Sequence, residues 1–283
     1  MKTIAIHSQK GGVGKTTLAL LLAKSASKTG RACILDYDFI GTGMANLIPL
    51  NLPKQYLEHY LTSAEPSRFP TRELFGSYSD DDLKKRAFSV VLNHGKPRKA
   101  TRENEGLHEA LLAMMSDEPQ YGQIAQHTKA LFNLLKEEGF DLVIVDCHPG
   151  LGLVSETMIP LVDLNVYVTT QNRSDCFGLL KTINRKGFDQ SSSFLVLNKA
   201  EPVVTDLTAF RFALESDGLV SIPAKALLAQ FKHIARDEKR FALIPESQQI
   251  RLLFYLGGPG MLPRVEDSGP FSVFCKKALA LLS

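Results

Sequence analysis

Short apolar runs and longer amphipathic segments take turns along most of the chain. The apolar runs fall at residues 3–6, 32–35, 88–92, 140–145, 164–169, 194–197 and 241–244. The run at 140–145, FDLVIV, is apolar almost without interruption, as a strand covered on both faces requires. Between these runs, residues 16–29, 107–115, 123–138, 175–185, 206–215 and 224–236 carry apolar residues at helical spacing. In the last of these, Ala224, Leu227, Leu228, Phe231 and Ile234 make one stripe. Gly30 is placed to stop the first helix. Strands alternating with helices predict right-handed crossovers, hence an α/β fold with a doubly wound, mostly parallel sheet flanked by helices.

Residues 51–106 depart from this rhythm. They hold the polar stretch SAEPSRFPTRELFGSYSDDD and four basic residues, Lys96, Arg98, Lys99 and Arg102. A solvated loop accounts for those four, with a nucleic-acid or lipid patch as the alternative. The expectation is one domain over 1–283 with an elaborated region at about 51–140, and no internal repeat.

Composition narrows the class. The chain has 283 residues, 44% of them hydrophobic and 22% charged, which excludes disordered and fibrous proteins. No apolar run reaches the roughly 18 residues of a membrane span, and MKTIAIHSQKGG does not read as a signal peptide. Lys and Arg number 33 against 30 Asp and Glu, and this small excess permits nucleic-acid contact without arguing for it. Cys33, Cys147, Cys176 and Cys275 lie far apart with no C-x-x-C pair. Neither a disulfide framework nor a zinc or iron–sulfur site is expected, and a reducing, cytoplasmic setting fits.

The strongest chemical signal is KGGVGKTT at residues 10–17, directly after a strand and directly before a helix. Gly11, Gly12 and Gly14 let the backbone turn its N–H groups inward, and Val13 completes the turn. Those amides and the positive end of the following helix form a cage for a polyphosphate. Lys15 can reach β- and γ-phosphate oxygens, Thr16 is placed to ligate Mg²⁺, and Thr17 closes the motif. The expected ligands are ATP and Mg²⁺.

The general phosphate-loop motif has a glycine where this chain has Gln9, and Lys10 is an additional lysine. SQKGGVGKTT resembles the deviant Walker A box of the ParA/MinD family of P-loop ATPases. The resemblance implies that Lys10 reaches the nucleotide of the other subunit in a homodimer formed in the ATP state. Asp36 and Asp38 in ILDYD resemble the family's D-x-D element, which implies that Asp38 polarises the attacking water and Asp36 supports the metal shell. Gly41, Thr42 and Gly43 would then lie in the first switch. IVDCHPGLG resembles Walker B with the second switch, so Asp146 matches the metal-holding aspartate, and Pro149 and Gly150 also match. His148 stands where the family usually has proline; it either titrates or hydrogen-bonds, or is a variable switch-loop residue. Asn198 in LVLNK matches the family's adenine-reading asparagine, although a strand-end asparagine capping a turn reads the same way. Pro245 and Glu246 resemble the loop that lies along the base. The likeness runs from Lys10 to about Ser247 and is weak over 51–140.

The resemblance implies an ATPase switch that positions or partitions a cargo, with an activating partner protein and a bound surface of non-specific DNA or membrane. For DNA the candidates are Lys181, Arg185, Lys186, Lys232, Arg236, Lys239 and Arg240. For membrane the candidate is residues 271–282, with Phe271, Phe274, Leu281 and Leu282 beside Lys276 and Lys277, and a terminal helix packed on the sheet explains that pattern equally. Localisation would then be cytoplasmic, with nucleoid or membrane association in the ATP state. Three readings compete: an ATP-dependent ligase or amidase of the same superfamily, a metallocentre-maturation ATPase, and a non-catalytic scaffold that binds ATP without turning it over, which the presence of Lys15, Asp38 and Asp146 together disfavours. The first needs substrate-binding residues in 51–140, where none is recognised; the second needs paired cysteines.

Overall fold

The computed structural model describes residues 1–39, 44, 50–80, 85–93, 102–116, 118–150, 153–172, 174–176, 178–179, 189–200, 238–246 and 269–282. The expected first-switch residues Gly41, Thr42 and Gly43, the basic residues Lys96, Arg98 and Lys99, and the helices at 206–215 and 224–236 lie outside them. So do the DNA candidates Lys181, Arg185, Lys186, Lys232 and Arg236.

Eight strands form one sheet: β1 (Lys2–His7), β2 (Ala32–Tyr37), β3 (Phe75–Asp80), β4 (Lys85–Val91), β5 (Leu142–Cys147), β6 (Leu164–Thr169), β7 (Ser193–Ala200) and β8 (Phe241–Pro245). Their order is β3-β4-β2-β5-β1-β6-β7-β8. Every neighbouring pair is parallel except β3 with β4. The α/β, doubly wound, mostly parallel expectation therefore holds. Helices among the described residues include α1 (Lys15–Ala26), α2 (Leu57–Leu61), α3 (Arg102–Ser116), α4 (Glu118–Glu137), α5 (Leu153–Met158) and α6 (Gly269–Ala280).

The alternation of side chains along each strand sorts the core into two layers. Ile4, Ile34, Ile144 and Val166 face α1 and α6, while Ala5, Cys33, Leu35, Val143 and Val145 face the cluster holding Leu111, Ile124 and Leu135 of α3 and α4. Helix α1 is buried on nearly every side, which explains why LALLLA carries no polar stripe.

The polar stretch in 51–106 is more ordered than its composition suggests. Pro66–Arg68 and Thr71–Leu74 form 3₁₀ turns, and FGSYSD becomes the antiparallel edge strand β3. Besides β4 it meets the bridge from Asn51 to Ser77, and a strand at the sheet's edge tolerates polar residues, so its apolar signal is weak. Phe75, Tyr78 and Leu74 nonetheless anchor the strand to the core.

The terminal segment is the packed helix. Phe271, Phe274, Cys275 and Ala278 of α6 are buried, Phe274 meets Phe194 edge-on with centroids 5.9 Å apart, and Lys277 Nζ donates to the Phe241 carbonyl at 3.0 Å. The phenylalanines proposed as a membrane face are thus consumed by the core. Among the described residues no helix is long and apolar enough to cross a membrane. Phe274→Ala is expected to cost about 3–5 kcal/mol of stability in urea unfolding; a loss below about 1 kcal/mol would show that α6 is not docked as described.

Candidate functional site

Ligands of open α/β sheets bind beyond the carboxyl ends of the strands, where the strand order reverses. Here that place is the end of β1, flanked by β5 and β6. Residues 8–14 turn from β1 into α1 there. Gly12 and Gly14 have φ of +77° and +101°, a left-handed conformation that glycine adopts without penalty. Gly14 caps α1 through its backbone, with no side-chain cap, so the first amides of the helix are left for a ligand. Ser8 Oγ donates to the Lys10 carbonyl at 2.7 Å, and Gly150 N donates to the Ser8 carbonyl at 2.9 Å. The second expected switch is thereby tied to the start of the loop.

Strand β7 braces the loop from the other side. Asn198 Nδ2 donates to the Val13 carbonyl at 2.7 Å, and Lys199 Nζ donates to the Gly12 carbonyl. Lys199 itself has φ of +57°, and the β7–β8 register slips between Asn198 and Ala200. This irregularity turns two consecutive side chains to the loop. Asn198 is buried and its amide nitrogen donates to the loop, while its Oδ1 has no partner, so the acceptor that an adenine amino group requires is still open. Lys199 was not singled out by the sequence; a lysine after a strand-end asparagine carries no distinct signal. Pro245 and Glu246 are exposed at the end of β8, with Glu246 N donating to the Ala200 carbonyl at 2.8 Å.

The acidic groups are assembled by register. Asp36 of β2 pairs with Asp146 of β5, and Asp146 pairs with Ile6 of β1, so all three lie in one row. Both aspartates share the face of Ile34 and Ile144, which is the face covered by α1. Asp36 Oδ1 accepts from Asp38 N at 3.2 Å and Oδ2 from Met44 N at 3.0 Å. Burial, then the charge of Asp146, push its carboxyl well above the usual range. Asp146 is 1% exposed and neither oxygen has a hydrogen-bond partner of ordinary geometry. Burial raises its pKa to about 6, while the Lys15 ammonium and the Thr16 hydroxyl pull it down.

These atoms test the fit of a divalent cation. Two orphaned carboxylate oxygens and the neighbouring Thr16 hydroxyl are hard oxygen donors beside a phosphate-type loop, the donor chemistry that Mg²⁺ prefers. The residues fit, with Asp146 and Thr16 as the holding groups. Asp36 stands one row-neighbour away with both oxygens already spent on backbone amides.

Two expected residues occupy positions the sequence did not foretell. Lys10, half exposed, pairs with Asp175 of its own chain at 3.1 Å and donates to Ser174 Oγ. Asp175 is in turn held by Thr170 Oγ1 at 2.6 Å. Asp38 accepts a hydrogen bond from His148 Nδ1 at 2.8 Å. Of the remaining surface candidates, Arg240 donates to the Ser193 carbonyl at 3.2 Å and Lys239 is exposed.

Comparison with known proteins finds chains of the same fold. The family model described as ParA, NUBPL iron-transfer P-loop NTPase, matches residues 1–70. A septum site-determining protein MinD of Nephroselmis olivacea is 21% identical over 241 residues, covering 82% of this chain and 76% of that protein. An iron–sulfur cluster carrier protein of Pyrococcus horikoshii is 26% identical over 187 residues, covering 64% of this chain. The chain spans about half the length of that carrier, 55% of it. Apo McdA of Cyanothece superposes with a TM-score of 0.63 at 19% identity, covering 100% of both chains. MinD of Pyrococcus horikoshii complexed with Mg-ADP superposes with a TM-score of 0.60 at 18% identity, covering 99% and 95%.

Two outcomes follow. Gly14→Ala would place a Cβ against Asn198 Nδ2 at a positive φ, so nucleotide affinity should fall by at least about tenfold in equilibrium binding; unchanged affinity would show that the loop is not the site. The second concerns Asp146 in chelator. A raised carboxyl pKa means that the folded chain holds the proton more tightly, so this contribution to stability is full below about 4 and is lost as the pH climbs through about 6. Asp146→Asn should therefore gain about 1–3 kcal/mol over the wild type above pH 7 and nothing at pH 4. A gain of equal size at both values would contradict the burial argument.

Proposed function

We propose that this chain, a P-loop NTPase of the ParA/MinD family, is a Mg-ATP-dependent ATPase that dimerises in the ATP state to position or partition a cargo. The observation that carries the reading is the unpartnered Asp146 carboxylate beside Lys15 and Thr16 at the head of α1. The Mg-ADP found with Pyrococcus horikoshii MinD supports the same cofactors here.

The residues divide the work. The amides of Gly11 to Thr16 cradle the phosphate tail, and Lys15, 5% exposed, supplies a fixed positive charge to the β- and γ-oxygens. When bound, Mg²⁺ offsets charge on the transferred phosphoryl group. Thr16 and Asp146 hold it, and Asp36 supports them by fixing Asp38 N and Met44 N. Asp38 orients and polarises the attacking water. Catalysis then consists of positioning and charge compensation, the pattern of phosphoryl transfer generally.

Lys10 is the switch between subunits. Its pair with Asp175 holds it within its own chain; in the dimer it leaves that pair for the partner's nucleotide, adding the cation that completes compensation. An activating protein, and a surface of DNA or membrane, would act on the dimer. The iron-carrier reading, raised by the family model's description and one relative, gains nothing from the cysteines: all four are buried, and burial pushes the Cys33, Cys147 and Cys176 thiols upward in pKa.

Turnover per subunit should rise with protein concentration through the dimerisation range, and Lys10→Ala should abolish that rise while leaving nucleotide affinity within about threefold. Turnover independent of concentration would count against the dimer. Co-sedimentation with DNA or liposomes that appears with ATP and not ADP supports the positioning role; a product formed by ligation to a small carboxylate would replace it.

A further inference from the structure

The backbone pairing of β2 with β5 runs to the ends of both strands, and a side-chain contact follows it. The last registered rows are Asp36 with Asp146 and Tyr37 with Cys147. One residue further on, Asp38 and His148 come opposite each other, returned by the two-residue alternation to the face of Asp36 and Asp146. Their side chains meet there: His148 Nδ1–H donates to Asp38 Oδ1 at 2.8 Å.

We propose that His148 is a positioning residue for Asp38, an assignment that rests on the ATPase reading above and names a further part of the same site. Three observations beyond the contact support it. Asp38 is also held through its own N–H, which donates to Asp36 Oδ1, so backbone and side chain are pinned from two directions. The turn that carries His148 is itself anchored: Gly150 N donates to the Ser8 carbonyl of the phosphate loop, and Ser155 Oγ donates to the His148 and Gly150 carbonyls at 3.4 Å each. The pair is also partly exposed, 23% for His148 and 20% for Asp38, so water reaches the carboxylate that is to address it.

A carboxylate bound to an anchored donor samples fewer rotamers. The orientation it must have toward the attacking water is then set before the nucleotide arrives, and less entropy is lost on the way to the transition state. Proline, usual at this position in the resembling family, has no side-chain donor. The histidine therefore adds an orienting contact that a proline cannot make. It links the D-x-D element to the second switch, so that a shift of the switch turn would move Asp38 with it.

The test uses the full chain with His148→Ala and His148→Asn, measuring kcat, KM for Mg-ATP, equilibrium affinity for a fluorescent ATP analogue, and thermal midpoint. The Asn Nδ2 lies as many bonds from Cα as the His Nδ1 and can make the same donation. His148→Ala should lower kcat about tenfold while KM and affinity stay within about twofold, and His148→Asn should restore most of the loss. An unchanged or raised kcat in His148→Ala overturns the assignment. So does a loss shared equally by affinity and thermal midpoint, or one that His148→Asn does not rescue. A wild type that binds nucleotide but never turns it over overturns the ATPase reading, and the assignment with it; a wild type with full turnover and an equal His148→Ala overturns the assignment alone.

Discussion

Asp146, next to last in the central strand β5, lies inside a layer sealed by the sheet and α1, level with Asp36 and with no hydrogen-bond partner of ordinary geometry for either oxygen. Two buried carboxylates in one row repel each other and lose their hydration, and the fold answers with one buried ammonium, Lys15, and with backbone amides spent on Asp36. That balance is incomplete within the chain itself. A divalent cation and the phosphates it accompanies would complete it: the cation would neutralise Asp146, and the phosphates would neutralise Lys15 and accept from the loop amides. The same arrangement that burdens folding thus defines what the site binds.

Everything near this row is braced. Asn198 and Lys199 hold the loop from β7, Gly150 holds its start from the second switch, and His148 ties that switch to Asp38. Lys10 is the exception, half exposed and held by the Asp175 carboxylate and the Ser174 hydroxyl. Fixed groups suit chemistry that depends on prior orientation, and a single displaceable ion pair suits a change of partner.

Much of this was legible in the amino-acid order. Uninterrupted apolar runs identified the buried parallel strands, because a strand covered on both faces admits little else, and KGGVGKTT between a strand and a helix identified the loop. The edge strand β3 escaped, since FGSYSD pairs with one strand, β4, and carries polar residues that a central strand would exclude. Asn198 was ambiguous and Lys199 carried no signal for a different reason: their roles come from a slip in register at the end of β7, and no local composition encodes it. The His148–Asp38 contact depends on the pairing of strands 110 residues apart in sequence. Each residue alone reads as an ordinary loop position. The polar face of the last apolar segment was ambiguous until Phe271 and Phe274 were found in the core.

Proton linkage tests the central claim, that the elevated carboxyls await a cation and its nucleotide, most directly. Calorimetric titration of Mg-ATP into the protein, repeated in buffers of different ionisation enthalpy, measures protons released on binding. The account predicts tight binding only with magnesium, with proton release near pH 6 that fades by pH 8. Binding that is indifferent to magnesium, with no proton released at pH 6, would contradict it.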